Sequence, residues 1–252
     1  MADFDFIFGL HSIAAAIANP KRELIKLVAT EQGRDELNKR ARLDRLDVQL
    51  VSSHKLQEEG KARFKELGMD YQRITSGLFL LAKPLPEVQA NHLYESVAES
   101  PKRILCLDQI TDVHNGAAIL RTASFYGIDI VVLPGKKSFG ESPTYFRIAS
   151  GAHEYLTLVK VNNLSKTLTK LKELGALTIG LSEHAEQNLE SQMIRKHSGS
   201  VALVLGKEET GISHAVMRVL DHTMSIKSQG EIQSLNVSVA AAVSMEKCFG
   251  IS

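Results

Sequence analysis

The feature that most constrains this chain is a rhythm that begins near residue 101. Short, predominantly apolar runs alternate with stretches of helical periodicity. The apolar runs are 103–108 (RILCLD), 129–133 (DIVVL), 155–161 (YLTLVKV), 177–181 (LTIGL), 201–206 (VALVLG) and 222–227 (HTMSIK). Helical patterns fill 115–126, 142–150, 163–174, 212–220 and 235–249 between and after them. A strand with one wet face alternates polar and apolar residues, and these runs do not. Both faces must therefore be covered, and intervening helices cover them when the strands lie parallel. The expected fold is α/β with a parallel sheet. Ligands in such sheets bind beyond the carboxyl ends of the strands, so the residues after each strand are the first candidates for a site.

The first part of the chain has a different texture. Charges are dense up to about residue 98, and basic residues outnumber acidic ones across 21–45. Runs at 24–30, 48–51 and 77–82 read as strands; 9–19 and 53–67 read as helices; 31–45 reads as an exposed helix. This is a small α/β domain over 1–83. Two prolines and polar residues mark 84–100 as a linker that has room for a short helix, and 101–252 forms the second domain.

Composition narrows the class. With 252 residues, 44% of them hydrophobic and 23% charged, the chain can bury a sizeable core. No apolar run approaches the roughly 20 residues of a membrane-spanning helix. The start, Met1-Ala2-Asp3-Phe4-Asp5, lacks the basic and apolar regions of a secretory signal. Only Cys106 and Cys248 are present, each in an apolar pattern, which excludes a disulfide framework and a cysteine zinc site. A reducing cytoplasm is the expected compartment. The formal charge of +1 neither demands nor forbids a nucleic-acid partner.

The common nucleotide motifs fail. No G-x-G-x-x-G occurs, and 206–213 (GKEETGIS) has the P-loop glycine spacing but Ile212-Ser213 where Lys and Ser or Thr are required. Three other strand-end segments stand out. The first is 108–121 (DQITDVHNGAAILR), where Asn115 sits as a helix cap and Arg121 follows six residues later. The second is 205–211 (LGKEETG), a turn bounded by Gly206 and Gly211 that carries Glu208. The third is 226–240 (IKSQGEIQSLNVSVA), a glycine-containing loop leading through Ser234-Leu235-Asn236 into a helix rich in small residues. Each alone fits an ordinary capped helix or polar turn.

Together and in this order the three segments resemble the motifs of the SpoU/TrmH family of RNA 2′-O-ribose methyltransferases, within the SPOUT superfamily. Asn115 and Arg121 match the first motif, and Gly206, Glu208 and Gly211 the second. Ile226, Gly230 and Ser234-Leu235-Asn236-Val237-Ser238, followed by small residues, match the third. The stretch 147–161 also resembles the family, and the likeness is good over roughly 101–250. The N-terminal part is similar, more loosely, to the ribosomal-protein-like substrate domain that many members carry. The layout is most similar to the bacterial branch that methylates a guanosine ribose in large-subunit ribosomal RNA. The chain departs from the pattern at Gly116-Ala117, at Lys207 and Glu209 beside the motif glutamate, and at Lys227, where proline is common.

The resemblance implies a second domain folded as a deep trefoil knot and a homodimer. It implies S-adenosyl-L-methionine as cofactor, lined by Gly206, Ile226 and Leu235, with no metal. It implies catalytic roles for Arg121, Asn115, Glu208, Ser234 and Asn236. Because a guanidinium stays protonated, Arg121 is expected to stabilise a developing alkoxide or clamp a phosphate. The implied substrate is RNA, ribosomal in preference to transfer RNA; a non-catalytic RNA-binding or ribosome-assembly protein is the alternative. Expected phosphate contacts are Lys21, Arg22, Arg34, Lys39, Arg40, Arg42 and Arg45, with Lys136, Lys137 and Arg147.

Overall fold

The computed structural model describes residues 4–44 and 46–250; Arg45, an expected RNA contact, lies outside them, as do the side chains of Ser191 and Arg195. The chain groups into two units. One comprises residues up to 86 together with 141–155, and the other comprises 87–140 together with 156 onward.

The first unit is built on a four-stranded sheet of β1 (Asp5–Phe8), β2 (Leu24–Ala29), β3 (Val48–Leu50) and β4 (Leu78–Ala82), in the order β1-β4-β2-β3. β4 pairs antiparallel with β1 and β2, while β3 lies parallel to β2. The helices are α1 (Leu10–Ala18), α2 (Glu31–Asn38) and α3 (Ser53–Glu66). One face of the sheet meets α3 in an aromatic cluster: Phe6 lies 5.3 Å from Phe64 and 5.0 Å from Phe79, ring centre to ring centre. The sequence pattern reads 31–45 as one helix, but α2 ends at Asn38. Leu37 is its last buried residue, and the charged run beyond has no apolar face to hold a helix down. β1 escapes sequence reading because it is four residues long and buried throughout, Asp5 included.

Residues 141–155 join this unit although they fall between two strands of the other in sequence. Ser142 caps α6 (Pro143–Ala149) by accepting from the Tyr145 N–H, Pro143 fits the first turn, and a short turn of helix, α7 (Ala152–Tyr155), follows. Ser12 Oγ donates to the Phe146 carbonyl at 2.7 Å, and Glu154 supplies the charged part of the attachment. Its carboxylate takes two bonds from Arg22, Nη2 to Oε1 at 2.7 Å and Nε to Oε2 at 3.2 Å. Arg22 Nη1 donates to Asp5 Oδ2 at 2.6 Å and to the Lys83 carbonyl at 2.8 Å. The Arg22 side chain is wholly buried, so it is a structural cation and is not available to RNA. Burial pushes the Asp5 carboxyl up to about 6, even with the Arg22 guanidinium beside it.

The second unit carries a six-stranded parallel sheet: β5 (Arg103–Asp108), β6 (Ile130–Pro134), β7 (Thr157–Val161), β8 (Leu177–Leu181), β9 (Val201–Gly206) and β10 (His222–Met224). The order is β10-β8-β9-β5-β6-β7, and every pairing is parallel. Helices α4 (Ala90–Glu99), α5 (Val113–Phe125), α8 (Leu164–Glu173), α9 (Ser191–Lys196), α10 (His214–Met217) and α11 (Val237–Phe249) connect or cover it. The stretch expected as a linker holds α4, whose Leu93 and Val97 enter the core with Ile104, Val132 and Val204. The both-faces-buried pattern holds: β9 is buried from Val201 to Leu205.

Candidate active site

Three chain segments meet at the carboxyl ends of β5 and β9. The first is the entry to α5. Asp112 caps this helix by accepting from the Asn115 N–H at 2.7 Å, so Asn115 is not the cap but stands one turn into the helix with its amide free to reach outward. The ring of Phe139 lies against Gly116, where a Cβ would sit 2.2 Å from a ring carbon. Here the departure at Gly116-Ala117 has a packing reason.

The second segment is the loop after β9. Lys207 N–H donates to Gly211 O and Gly211 N–H to Lys207 O, at 3.1 and 2.7 Å, closing residues 207–211 into a tight turn. Gly211 turns at φ +66°, a conformation side chains disfavour. Gly206 is fixed by space, since a Cβ there would lie 2.2 Å from Gly211 C and Ile212 N. The two departures in this motif pair with each other. Lys207 and Glu209 form an exposed ion pair, and the hydrogen bond from Lys207 holds the Glu209 carboxyl below its ordinary range.

The third segment is 225–236, which runs as neither helix nor strand from β10 to α11. Asn236 caps α11: its Oδ1 accepts from the Ser238 N–H at 2.9 Å and the Ser238 hydroxyl at 2.6 Å. That bond fixes the amide's orientation, because an N–H can only donate. Asn236 Nδ2 must then face acceptors. It donates to Asn115 Oδ1 at 3.0 Å and to Glu208 Oε2 at 3.3 Å. Asn115 in turn donates Nδ2 to the same Glu208 oxygen at 3.3 Å. Asn115, Glu208 and Asn236 thus form a closed triangle, with one carboxylate oxygen of Glu208 accepting from both amides.

Beside the triangle lies a cavity of about 540 Å³. Gly206, Glu208, Ile226, Ser234 and Leu235 all line it; Asn115, Asn236 and Arg121 do not. Glu208 is the residue that belongs to both cavity and triangle. The volume is within the usual range for a small-molecule site. The wall is mixed, with Leu181, Leu205, Ile212 and the exposed Leu235 as apolar surface and Ser228, Gln229 and Gln233 as polar groups. Backbone not consumed by helix or strand runs along the 225–236 side, which suits a nucleoside cofactor read through main-chain groups.

Arg121 is exposed and stands apart from the triangle. Six residues along a helix amount to about 9 Å of rise and about 120° of rotation from Asn115. Sequence reasoning missed the loop after β8, where Ser182, Glu183 and His184 line the cavity. The strand-end rule applied to 177–181 would have found it. Among the other expected RNA contacts, Arg34 pairs with Asp35 at 2.7 Å and Lys39 with Glu36 at 2.5 Å, while Lys21, Arg40, Arg42, Lys136, Lys137 and Arg147 are exposed. In the first unit Asp5, Glu141 and His153 bring ligand-type atoms within 4.8 Å of one another. The buried Arg22 charge against Asp5 disfavours a cation there.

Comparison with known proteins agrees with this arrangement. The model of the SpoU rRNA methylase family matches residues 102–246, and that of an RNA 2′-O ribose methyltransferase substrate-binding domain matches residues 6–59. A 23S rRNA (guanosine-2′-O-)-methyltransferase RlmB of Pseudomonas putida is 32% identical over 247 residues, covering 96% of this chain and 95% of that protein. A protein of the same name from Ralstonia nicotianae is 39% identical over 145 residues, covering 58% of this chain and 57% of the relative. Among solved structures, the SpoU methyltransferase AviRb of Streptomyces viridochromogenes in complex with AdoMet superimposes with a TM-score of 0.76. It is 16% identical, and the match covers 97% of this chain and 89% of that one. The match to the family model spans more than half of the sequence and includes all three motif segments, so the chain belongs to the SpoU rRNA methylase family.

Proposed function

We propose that this protein methylates a ribose 2′-hydroxyl of ribosomal RNA, using S-adenosyl-L-methionine, and that its substrate nucleotide is a guanosine of the large-subunit RNA. The observation that carries this reading is the double position of Glu208, on the wall of the cavity and as the shared acceptor of the Asn115 and Asn236 amides. The nucleotide preference rests on the relatives named as 23S rRNA guanosine methyltransferases.

Bound in the cavity, S-adenosylmethionine supplies an electrophilic methyl on a sulfonium centre. Gly206 keeps the 207–211 turn close to the strand end, and Ile226 and Leu235 provide apolar contact. Asn115, Asn236 and Glu208 hold one another in a fixed geometry, which is what positioning a hydroxyl requires. Glu208 offers an acceptor for a substrate hydroxyl, and Ser234 offers a further polar group at the cavity wall. Arg121 stabilises negative charge on the ribose oxygen or clamps the neighbouring phosphate.

Arg121 stands away from the triangle of its own chain, which favours a homodimer in which each site borrows this residue from the partner. Exposed apolar side chains in the second unit, Phe125 at 82% and Val239 at 48%, support the same reading. The Ala240–Ala242 run does not decide it, because α11 packs on α5 within the chain and Ala241 is fully buried there. The trefoil knot belongs to this proposal as well, and rests on membership of the SpoU family. The first unit is read as the RNA-binding part, with Lys21, Arg40 and Arg42 as phosphate contacts and the cytoplasm as the compartment. No helix among the described residues is long and apolar enough to cross a membrane.

The test is calorimetric titration with S-adenosylmethionine, followed by methyl transfer to ribosomal RNA and mapping of the modified ribose. Micromolar binding with a single 2′-O-methylguanosine supports the reading. Binding without transfer to ribosomal RNA, but with transfer to transfer RNA, moves the substrate. RNA binding with no cofactor affinity leaves the non-catalytic role.

A further inference from the structure

We propose that Lys227 is a positioning residue of the cofactor cavity: its ammonium ties the segment after β8 to the segment after β10 and so holds the two sides of the cavity mouth at a fixed separation. The inference rests on the cofactor reading above.

The two segments start in register. Ser182 N–H donates to Met224 O at 2.9 Å, Ser225 N–H to Gln187 O at 2.8 Å and Leu189 N–H to Ser225 O at 2.8 Å. Asn188 and Ser225 bridge in parallel, an extension of the β8–β10 pairing. The chain between these ties, residues 183–186, bows away from the sheet, and on the other side residues 226–229 leave it after Ser225. Both excursions line the cavity, Glu183 and His184 from one and Lys227 and Ser228 from the other. The Lys227 ammonium crosses between them, donating from Nζ to the Ala185 carbonyl at 3.0 Å.

A lysine carries a long, flexible stem, and an exposed one ordinarily stays in water. Here its donor meets a backbone carbonyl at the turn of the opposite excursion. A main-chain carbonyl is present whatever side chain occupies position 185, so the tie depends on Lys227 alone. The loop that carries Lys227 is closed on itself: Ser228 Oγ donates to Ile232 O at 2.6 Å, and Gln233 Nε2 to Gly230 O at 2.9 Å. Lys227 therefore couples a preformed loop to the bow at 183–186, and loss of the tie loosens one wall of the cavity before any cofactor arrives. Binding must then order that wall, which weakens affinity.

The experiment compares wild type with Lys227→Met, which keeps the stem and removes the donor, and with Lys227→Arg, which keeps a donor. Calorimetry reads affinity for S-adenosylmethionine and for methylthioadenosine, which lacks the amino-acid carboxylate. Hydrogen exchange reads the amides of 183–187 in the cofactor-free protein. The expected result for Lys227→Met is a loss of about 3- to 10-fold in affinity for both ligands, the scale of one exposed charge-assisted hydrogen bond, with faster exchange at 183–187. Lys227→Arg should recover most of both. A loss confined to S-adenosylmethionine, with exchange unchanged, would mean direct contact with the carboxylate and would overturn the positioning role. Unchanged affinity for both ligands would overturn it as well. If wild type binds neither ligand, the cofactor reading itself fails and this inference falls with it.

Discussion

Asn236 Nδ2 donates to Asn115 Oδ1 at 3.0 Å across 121 positions of sequence, and both amides point at one oxygen of Glu208. Each amide is held from behind, Asn236 by its cap on α11 and Asn115 by its place in the first turn of α5 after the Asp112 cap. The triangle is thus set by two helix starts and one tight turn.

Asn115→Ala should therefore remove two of the triangle's three hydrogen bonds, leaving the one from Asn236 to Glu208, without touching a cap. Methyl transfer is expected to fall about 100-fold, while thermal stability changes by less than about 0.5 kcal/mol, since the site is partly exposed. Transfer assays and thermal unfolding on the same preparation check this. An unchanged rate would remove Asn115 from the site.

Gly206→Ala inserts a Cβ 2.2 Å from backbone atoms of Gly211 and Ile212, which have no flexible side-chain end to swing aside. The 207–211 turn must move. Expected are loss of cofactor binding by calorimetry and a stability cost of about 1–3 kcal/mol by denaturant unfolding. Gly230→Ala, which meets nothing within 4 Å, is the control that should fold normally.

Arg22 and Arg40 both belong to the basic stretch 21–45 and should separate cleanly in experiment. Arg22→Met strands the buried Asp5 and Glu154 carboxylates and is expected to cost about 3–5 kcal/mol. Arg40→Glu should leave stability nearly unchanged and weaken RNA binding, with a shallower salt dependence. Denaturant unfolding and RNA titrations at several salt concentrations distinguish the two.

Asp5 gives a pH signature. Its folded pKa, pushed up to about 6 by burial, exceeds the unfolded value of 3.8. Between those values the folded state holds a proton that the unfolded state has lost, so this group's contribution to stability declines as pH rises from about 4 to about 6. Asp5→Asn removes the titration. The stability of the variant relative to wild type should therefore rise across that window and level off above it. A constant difference from pH 4 to 7 would show that Asp5 is not shifted.

Both cysteines should resist thiol reagents in the folded protein. Burial pushes the Cys248 thiol up to about 12, and Cys106 is raised as well by burial and by Asp108 nearby. Labelling at pH 8 is expected only after unfolding, as a mass shift on two sites.

The sequence by itself determined the parallel sheet, because runs apolar on both faces cannot be satisfied any other way between helices. It also picked out the segments after β5, β9 and β10 as site candidates, because the motif residues follow those strands, and passed over the segment after β8 that lines the same cavity. Local chemistry sufficed where the partner was near in the chain, as in the Gly206–Gly211 turn. Tertiary structure decided the rest. Arg22 reads as one more basic residue until Glu154, 132 positions away, is brought against it. The sequence reads Asn115 as the cap of α5, whereas Asp112 takes that place and the Asn115 amide meets Glu208, 93 positions on, and Asn236, 121 positions on. The helix pair at 143–155 belongs by order to the parallel sheet and by packing to the first unit. Periodicity reports how much of a residue is buried, whereas the identity of its partner depends on chain closure over a hundred or more residues, and no local pattern encodes that.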